Sequence, residues 1–480
     1  MSENTLLRID KLLLENYRCF SKCPVDFHPK LTVLVAENAG GKTAILDALR
    51  LALLPFVTGI GKAKSCPGFL RSDMRGYDHE AGLSGEKAGF PIAAIPTSIL
   101  AAGAIDGQPT QWRRERSERQ LFGQTTRKDM VHVRRIARNL TERIYSESRD
   151  GGRGEQSPLP VVAYYGTGRL YSEPRLSKVK RWLAQSSNTR MSAYLDCLSP
   201  SSSYKSFSAW FGQRWEDIGE SRSRAEGFQG RPENQITAVR EAVKVVLEPT
   251  GWVTMDWQPA DQDDEGRTYG TGHIQVENSS GSKVPLYTQS DGIRNMVALV
   301  GDLAHRCVRL NPHLAEAAAR ETSGIVMIDE VDMHLHPQWQ QRVVELLHTA
   351  FPKIQFVLTT HSPHVLSTVS VKSIRVVEID ADGIGQTDSE LSQTRGDESG
   401  NVLSRVMNVN PVPNIGPARV LSTYRGMVQM GLDETEKAQR IWRYLVSQFG
   451  EGHHLLEEAA VLRDLQVFKR EHKLPPKGSA

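Results

Sequence analysis

The segment that most constrains the fold lies near the N-terminus, where residues 36–43 read Ala-Glu-Asn-Ala-Gly-Gly-Lys-Thr. A strand of the buried type, Leu31–Val35, precedes this segment, and a helical apolar pattern follows from about Lys42. The last three residues match the phosphate-loop pattern G-x-x-x-x-G-K-[ST], whereas Ala36 replaces its first glycine. Backbone N–H groups at a helix N-terminus cradle phosphate oxygens, so this strand–loop–helix order predicts a nucleotide site.

Three residues of this loop have separate expected effects. Lys42 adds a point charge near the terminal phosphates, and the Thr43 hydroxyl can bind Mg²⁺. Alanine at position 36 costs little if its φ is negative, and it strains the loop if φ must be positive.

A second buried-type strand, Ile325–Ile328, delivers two carboxylates at its C-terminal end. Asp329 is expected to hold the metal, directly or through water, and Glu330 to orient and polarise the attacking water. Taken alone, two acids after a strand are more often the N-cap of a helix. The pair therefore depends on the other fragments for its interpretation.

Two further fragments complete a set of four. His361 ends the segment Leu358-Thr-Thr-His, after the next buried strand, and can reach a γ-phosphate. The turn Gln289–Arg294 precedes an apolar helix, and such a turn at a helix N-terminus is a second anion site. Each fragment alone is weak evidence for a nucleotide site. All four in this order are strong evidence, because chance would have to supply every one of them.

Strand and helix patterns alternate along much of the chain and predict an α/β fold. Three buried-type segments lie at Gly324–Ile328, Ile354–Leu358 and Ser373–Glu378, with helical segments between or before them, as in a parallel core sheet. Residues 90–112 predict an antiparallel hairpin, and Val253–Trp257 with His273–Val276 predict another. We therefore expect a mixed sheet, an antiparallel β subdomain, a helical insertion and a helical C-terminal region.

Composition narrows the class of protein. The 480 residues include 59 basic and 56 acidic side chains, a net charge of +3, which is too low for a protein that coats nucleic acid along its length. No secretory signal is visible at the N-terminus, and we expect a cytoplasmic protein.

The uncharged stretch 88–105 contains two prolines and leads into Asp106-Gly107, so we expect β structure there. The odd, scattered cysteines predict reduced thiols: Cys19, Cys23, Cys66, Cys197 and Cys307.

Residues 113–149 form a basic window that we expect to be helical. It holds eleven arginines and lysines against five acids (11 − 5 = +6). A solvated helical face is one explanation, and contact with a phosphate backbone is the other. The nucleic-acid candidates are Arg113, Arg114, Arg134, Arg135 and Arg138.

Together these motifs resemble the ABC-type ATPases of the RecF, Rad50 and OLD branch, over roughly residues 5–380. Asn16-Tyr17-Arg18 is similar to the Asn-Phe-Arg start of that branch. The run from Met327 to Trp339, with Tyr-Tyr-Gly-Thr-Gly-Arg169, narrows the resemblance to the PtuA-type ATPases of Septu and retron-associated phage-defence systems.

The resemblance assigns roles to individual residues. The catalytic residues are Glu330 and His361, the latter as the switch histidine, and the Mg²⁺ ligands are Thr43 and Asp329. The nucleotide contacts are Arg18, Asn38, Gly40, Gly41, Lys42, Thr43 and Ala44. The ABC signature, which acts on the nucleotide of another copy, corresponds to Ser290, Asp291 and Gly292. The D-loop corresponds to Asp332, His334 and His336, for which a zinc pair of histidines is the weaker alternative.

The resemblance also implies an assembly. Two copies, or a higher homo-oligomer, sandwich two ATP molecules with Mg²⁺ head to tail, so nucleotide state becomes assembly state. The chain departs from the family pattern at Ala36 and Ala39, which replace loop glycines, and at Asp291, which replaces a signature glycine. No convincing glutamine-loop residue is present, and Asp73 is a weak candidate. These departures favour a slow or regulatory ATPase.

We expect the chain to bind and hydrolyse ATP as a regulatory and scaffolding subunit of a bacterial anti-phage complex. It would control a separate HNH nuclease (PtuB-like) through nucleotide-dependent assembly, since neither Toprim nor HNH marks occur after His361. The alternative is a RecF-like clamp that acts directly on DNA in repair. No membrane partner is expected. The proline-rich stretch Asn408–Pro417 predicts a linker, and two amphipathic helices are expected beyond it. The first runs from about Asp433 to Gly450, and the second has one apolar face formed by Leu455, Ala459, Leu462, Leu465 and Phe468. These helices, within 418–470, either dock the nuclease or cap the ATPase.

The expected domain boundaries follow these motifs. An N-terminal ATPase lobe, a helical lid, a C-terminal ATPase lobe and a helical docking region are expected at 1–171, 172–250, 251–400 and 401–480.

Overall fold

The chain divides into two compact units, Met1–Val402 and Leu403–Ala480. The computed structural model describes residues 6–60, 69–76, 96–116, 128–149, 156–168, 189–199, 204–223, 232–262, 268–269, 272–388, 393–411 and 413–472. Cys66, Arg169 and the first part of the uncharged stretch, 88–95, lie outside these residues.

Fifteen strands occur in the described part of the chain. They are β1 (Leu7–Tyr17), β2 (Phe20–Asp26), β3 (Leu31–Val35), β4 (Thr97–Ile105), β5 (Gln108–Arg116), β6 (Val161–Tyr165), β7 (Trp252–Gln258), β8 (Asp261–Gln262), β9 (Thr268–Tyr269), β10 (His273–Asn278), β11 (Lys283–Pro285), β12 (Gly324–Ile328), β13 (Ile354–Thr359), β14 (Ile374–Ile379) and β15 (Gly385–Asp388).

The α-helices within the same described ranges are numbered in chain order. They are α1 (Lys42–Gly59), α2 (Lys128–Arg149), α3 (Tyr204–Ser223), α4 (Pro232–Leu247), α5 (Asp291–Leu310), α6 (Ala318–Glu321), α7 (Pro337–Gln340), α8 (Val343–Ala350), α9 (Pro363–Leu366), α10 (Ser399–Arg405), α11 (Gly416–Gln429), α12 (Glu436–Phe449) and α13 (His454–Glu471).

The central sheet has the strand order β15-β14-β3-β13-β12-β6. Its inner pairs are parallel, and β15 joins the edge antiparallel to β14. Every residue of β3, β12 and β13 is buried, because helices and a second sheet cover a parallel core on both faces. The β3 strand lies between β13 and β14, which come from the C-terminal part of this unit's sequence. The predicted parallel core sheet is confirmed.

Antiparallel sheets surround this core. The strands β2, β1, β4 and β5 form one antiparallel sheet, and β11, β10 and β7 form another. The hairpin of β4 and β5 turns at Asp106-Gly107, where both residues have positive φ. The predicted antiparallel β subdomain is thus confirmed, as is the pairing of the strands around Val253–Trp257 and His273–Val276.

The prediction that residues 113–149 are helical throughout is wrong. The segment begins as strand β5, in which Trp112, Arg114 and Arg116 are buried and alternate with more exposed neighbours. This period of two is that of a strand with one buried face. The helix of the window, α2, begins only at Lys128.

The C-terminal unit contains one more helix than the patterns predict. The stretch 408–417 is predicted as a linker because of its prolines, but α11 begins at Gly416 with Pro417 in its first turn. Proline is tolerated there, since the first N–H groups of a helix have no intrahelical partner. The core of this unit joins α11, α12 and α13 through Leu421, Tyr424, Val428, Ala438, Leu445, Leu456 and Ala459.

Part of the predicted apolar face of α13 lies in solvent. Ala459 is buried, whereas Leu465 and Phe468 are 48% and 50% exposed, and Val461 is 68% exposed. Val461, Leu465 and Phe468 are spaced by four and three residues, so they form one exposed apolar stripe along the helix. We call these three residues the α13 stripe.

None of the helices in the described residues is long and apolar enough to cross a membrane.

A buried histidine lies in the packing between α3 and α5. His305 stacks on Trp210 at a ring-centroid distance of 4.5 Å, and neither ring nitrogen has a hydrogen-bond partner. Burial, with the charges of Arg309 and Arg306, lowers the pKa of His305 to about 4, although Asp302 acts in the opposite direction. The neutral imidazole therefore behaves as an aromatic core side chain.

This burial predicts an acid-sensitive fold. Because the folded pKa of His305 lies below its unfolded value, the unfolded chain binds the extra proton between about pH 4 and 6.5. The free energy of unfolding should rise with pH across that window, by roughly 3 kcal/mol from this group, and level off above it. In His305→Phe, denaturant titrations from pH 4 to 8 should lose this slope. An unchanged slope would contradict the assignment.

Candidate nucleotide-binding site

The phosphate loop joins β3 to α1 and is shaped by a tightly packed glycine. Gly41 is the N-cap of α1 and has a φ of 84°. A Cβ at this position would lie 2.3 Å from Cζ of Phe20, so both the conformation and the space require glycine. The amides of the first turn of α1, including that of buried Ala44, are therefore available to an anion.

The two alanines of the loop differ in conformation. Ala36 is buried and is not among the residues with positive φ, so alanine costs little there. Ala39 has a φ of 63°, a left-handed conformation that a Cβ makes unfavourable. The replacement at position 39 is therefore the strained one.

Lys42 folds back over its own loop. Its Nζ donates hydrogen bonds to the carbonyl oxygens of Ala36, at 2.9 Å, and Glu37, at 3.1 Å. Burial lowers the pKa of Lys42, and the nearby carboxylates of Asp329, Glu330 and Asp332 partly offset this effect. The side chain is thus already held beside the amides that would receive a phosphate, whereas Asn38 is exposed.

Asp329 is fixed by three hydrogen bonds from different elements. Thr43 Oγ1 donates to its Oδ2 at 3.1 Å, and Thr359 Oγ1 donates to its Oδ1 at 2.6 Å. Its backbone N–H donates to the carbonyl of Tyr165 at 2.8 Å. A hydroxyl and a carboxylate side by side are the hard oxygen ligands that Mg²⁺ prefers, so this pair fits the predicted metal.

Glu330 follows in a left-handed conformation, with a φ of 49°. Its N–H donates to Thr359 Oγ1 at 2.7 Å, and the N–H of Val331 donates to the Thr359 carbonyl at 3.0 Å. Strained backbone of this kind is often found at functional sites, where the surroundings hold it in place. Thr359 therefore holds the Asp329 carboxylate and the Glu330 backbone, a role that only a long-range contact reveals.

The predicted D-loop and switch histidine lie in adjacent segments. Thr360 Oγ1 donates to Asp332 Oδ1 at 2.5 Å, and Ser362 Oγ donates to Gln340 Oε1 at 2.7 Å. His361 lies between these two anchored residues and is half-buried at the end of β13. The segment that carries His361 is thus tied to the D-loop at Asp332 on one side and to α7 at Gln340 on the other.

Ser290, Asp291 and Gly292 open α5 and line a cleft with the D-loop of the same chain. A Cβ on Gly292 would lie 2.8 Å from the His334 carbonyl, so the contact requires a small residue. Asp291 forms an ion pair with Arg294. The cleft has a volume of about 720 Å³ and is lined by Thr250, Ser290, Asp291, Gly292, Ile293, His334, Leu335, His336 and Trp339.

Arg18 is engaged by two carboxylates of its own chain. It pairs with Asp47 of α1 at 2.8 Å and with Asp73 at 2.9 Å, and these acids, with Tyr17, raise its pKa above the normal value against the lowering effect of burial. Asp73 is therefore occupied as the partner of Arg18. Direct contact of Arg18 with nucleotide remains a prediction.

The five arginines predicted as nucleic-acid contacts differ in how exposed their side chains are. Arg114 is buried and donates to the Leu51 carbonyl at 2.6 Å, so its candidacy is wrong, because a buried guanidinium cannot reach a phosphate backbone. Arg113 pairs with Glu15 at 2.9 Å. Arg134 is half-buried, and Arg135 and Arg138 are exposed on α2.

The strained loop residue yields a stability prediction. Ala39→Gly should raise the free energy of unfolding by about 1 kcal/mol, because glycine relieves the left-handed strain at a smaller entropic cost. Chemical denaturation without nucleotide measures the change. The matched control, Ala36→Gly, should lower stability by about 0.5–1 kcal/mol, since position 36 has no such strain. Equal losses in both variants would contradict the strain at Ala39.

Comparisons with known proteins find two family models and one solved structure that resemble this chain. The family model described as "AAA domain, putative AbiEii toxin, Type IV TA system" matches residues 204–367, and the model described as "AAA domain" matches residues 11–206. The SMC head domain from Thermotoga maritima covers 80% of this chain and 98% of its own length, at 14% identity and a TM-score of 0.38.

Curated relatives extend over nearly the whole chain. The "Retron Vc95 probable ATPase" of Vibrio cholerae is 24% identical over 91% of this chain and 87% of its own length. The "Retron Ec83 probable ATPase" of Escherichia coli is 23% identical over 98% of this chain and 88% of its own length. The Septu protein PtuA of Bacillus thuringiensis is 27% identical over 22% of this chain and 27% of its own length. The chain is therefore an ATPase that matches AAA-domain models over residues 11–367, and it is similar to retron ATPases and Septu PtuA.

Proposed function

We propose that this ATPase is the nucleotide-controlled regulatory and scaffolding subunit of a bacterial anti-phage defence complex that governs a separate HNH nuclease of the PtuB type. The carrying observation is the phosphate loop tied to Asp329 through Thr43, within a chain whose homologues are retron ATPases and Septu PtuA. That arrangement supports ATP binding, and the names of the homologues support the defence role.

One chain supplies the residues that bind the nucleotide and orient the attacking water. Lys42 binds the terminal phosphates of ATP, while the amides of α1 receive their oxygens. Thr43 and Asp329 would hold Mg²⁺, which would supply positive charge to offset charge on the transferred phosphoryl group. Glu330 orients and polarises water, and His361 contacts the γ-phosphate from the end of β13.

A second copy completes the site. The cleft that contains Ser290 and Gly292 is open, and the N-terminus of α5 carries a partial positive charge. This cleft receives the phosphates held by the loop of the other copy, head to tail. Asp291 adds a carboxylate where the family pattern has glycine, which weakens this contact and slows turnover.

The α13 stripe is the surface we propose for the nuclease. Val461, Leu465 and Phe468 expose contiguous apolar area on a unit with its own core, and such patches mark interaction sites. An apolar partner surface on the HNH subunit would bury them. A capping role within the ATPase is the competing use of this helix.

Direct action on DNA, as a RecF-like clamp, is the second candidate. Arg135 and Arg138 are exposed one turn apart on α2, and RecF of Staphylococcus epidermidis is 40% identical over 43 residues. Two phosphate contacts would give DNA affinity a measurable salt dependence. ATP-dependent, salt-sensitive binding that falls in Arg135→Ala/Arg138→Ala would favour this candidate.

Two substitutions test the site. Lys42→Ala should weaken nucleotide binding roughly ten- to a hundredfold, because it removes charge-assisted hydrogen bonds. Glu330→Gln should retain binding, slow hydrolysis by roughly 10²–10⁴-fold and trap the ATP-bound dimer. Calorimetry, phosphate release and light scattering measure these effects. Unchanged affinity, turnover and phage protection in both variants would refute the assignment.

A third experiment tests the partner. Leu465→Asp/Phe468→Asp should abolish copurification of a co-expressed PtuB-type HNH protein and should abolish protection, while ATP hydrolysis stays within twofold of wild type. Val131→Asp, which alters an exposed apolar residue on α2, is the matched control and should retain the partner. If the double variant still copurifies with the HNH protein, the α13 stripe is not the surface that binds it.

A further inference from the structure

A buried polar network joins α5 to the central sheet. The Tyr165 hydroxyl donates to Asp302 Oδ2 at 2.9 Å, and Arg306 Nε donates to the same oxygen at 2.8 Å. Arg306 also donates through its NH1 group to the carbonyls of Ala193, at 2.6 Å, and Leu195, at 3.2 Å. Tyr165, Asp302 and Arg306 are each at most 5% exposed, so water does not substitute for any of these contacts.

Tyr165 also contacts the metal-binding carboxylate residue through its backbone. Its carbonyl accepts the N–H of Asp329 at 2.8 Å, where β6 and β12 end side by side. One residue therefore binds Asp329 with its main chain and α5 with its side chain.

The helix connects this contact with the signature turn. Asp302 lies twelve residues after Ser290, which is about 18 Å along α5 at 1.5 Å per residue. A rigid helix transmits displacement along its length, and the buried charge pair of Asp302 and Arg306 within α5 resists sliding or rotation. Rigid-body movement of α5 with the signature turn would therefore strain the Tyr165–Asp302 bond or move the end of β6, and with it the Asp329 backbone.

We propose that Tyr165 is a positioning residue that couples the Asp329 site of a chain to the signature turn that the same chain offers to its partner. Nucleotide bound at one site then biases the geometry of the other site across the dimer. The coupling acts on two distinct sites through one physical contact, and it is reciprocal for binding. It rests on the proposed head-to-tail dimer.

The test uses the full chain and Tyr165→Phe, which removes the hydroxyl and keeps the ring and the carbonyl. In wild type, hydrolysis per chain should rise with protein concentration, and the Hill coefficient for ATP should exceed one. In the variant, the Hill coefficient should fall to one and kcat should fall at least fivefold. The dissociation constant for ADP, which reports on the loop of a single chain, should change less than twofold.

The matched control is Tyr194→Phe. Tyr194 is equally buried, and its neighbours Ala193 and Leu195 contact Arg306, but its own hydroxyl donates to the Pro160 carbonyl at 2.5 Å and not to Asp302. This variant should lower the melting temperature, as Tyr165→Phe does, with no change in Hill coefficient or kcat. Matching behaviour of the two variants would show a merely structural role and overturn the coupling.

A second variant covers the case in which Tyr165→Phe does not fold. Asp302→Asn keeps the shape of the acceptor but removes the charge opposite Arg306, and it should reproduce the loss of cooperativity. A wild-type rate that is flat with protein concentration would overturn the dimer and the coupling together. If the wild-type rate per chain rises with protein concentration but the variants keep a Hill coefficient for ATP above one, the dimer stands and the coupling is overturned.

Discussion

The hydrogen bonds of Asp329 are the constraint on which the rest of this ATPase depends. A carboxylate that is 3% exposed is costly unless its partners are supplied by the protein. Here α1 supplies one donor to the carboxylate through Thr43 and β13 supplies another through Thr359, while the Tyr165 carbonyl of β6 accepts the backbone N–H of Asp329. The start of α1 and the ends of β6 and β13 must therefore lie at the same edge of the sheet. The same residues then fix the register of the loop, the carboxylate pair and the switch segment.

Burial explains which elements were predictable from sequence. The strands Leu31–Val35 and Gly324–Ile328 match their predicted bounds, because a strand covered on both faces requires an unbroken apolar run. Strand β5 was misassigned because its arginines reach carbonyl groups inside the protein, so its buried face does not have an apolar pattern. Helix α11 was missed because Gly416-Pro417 is equally typical of a turn and of a helix start.

The site was predictable in its motifs but not in its geometry. Lys42, Thr43, Asp329 and Glu330 belong to local patterns, whereas Thr359 and Tyr165 act on Asp329 from strands that pairing alone brings near. The left-handed conformations at Ala39, Glu330 and His334 also have no signal in residue type. Non-glycine residues adopt them because tertiary contacts outweigh the local cost, which is common where a backbone must present a reactive group.

The order of the central sheet has a consequence for biosynthesis. Strand β3, which carries the phosphate loop, pairs only with β13 and β14 among the described strands, and 319 residues separate the end of β3 from the start of β13 (354 − 35). At bacterial elongation rates of roughly 5–20 residues per second, β3 waits on the order of 15–65 s for its neighbours. During that time a strand that is apolar at four of its five positions has no partner edge and is exposed to aggregation. The nascent chain is therefore expected to need chaperone protection until its last parallel strands leave the ribosome.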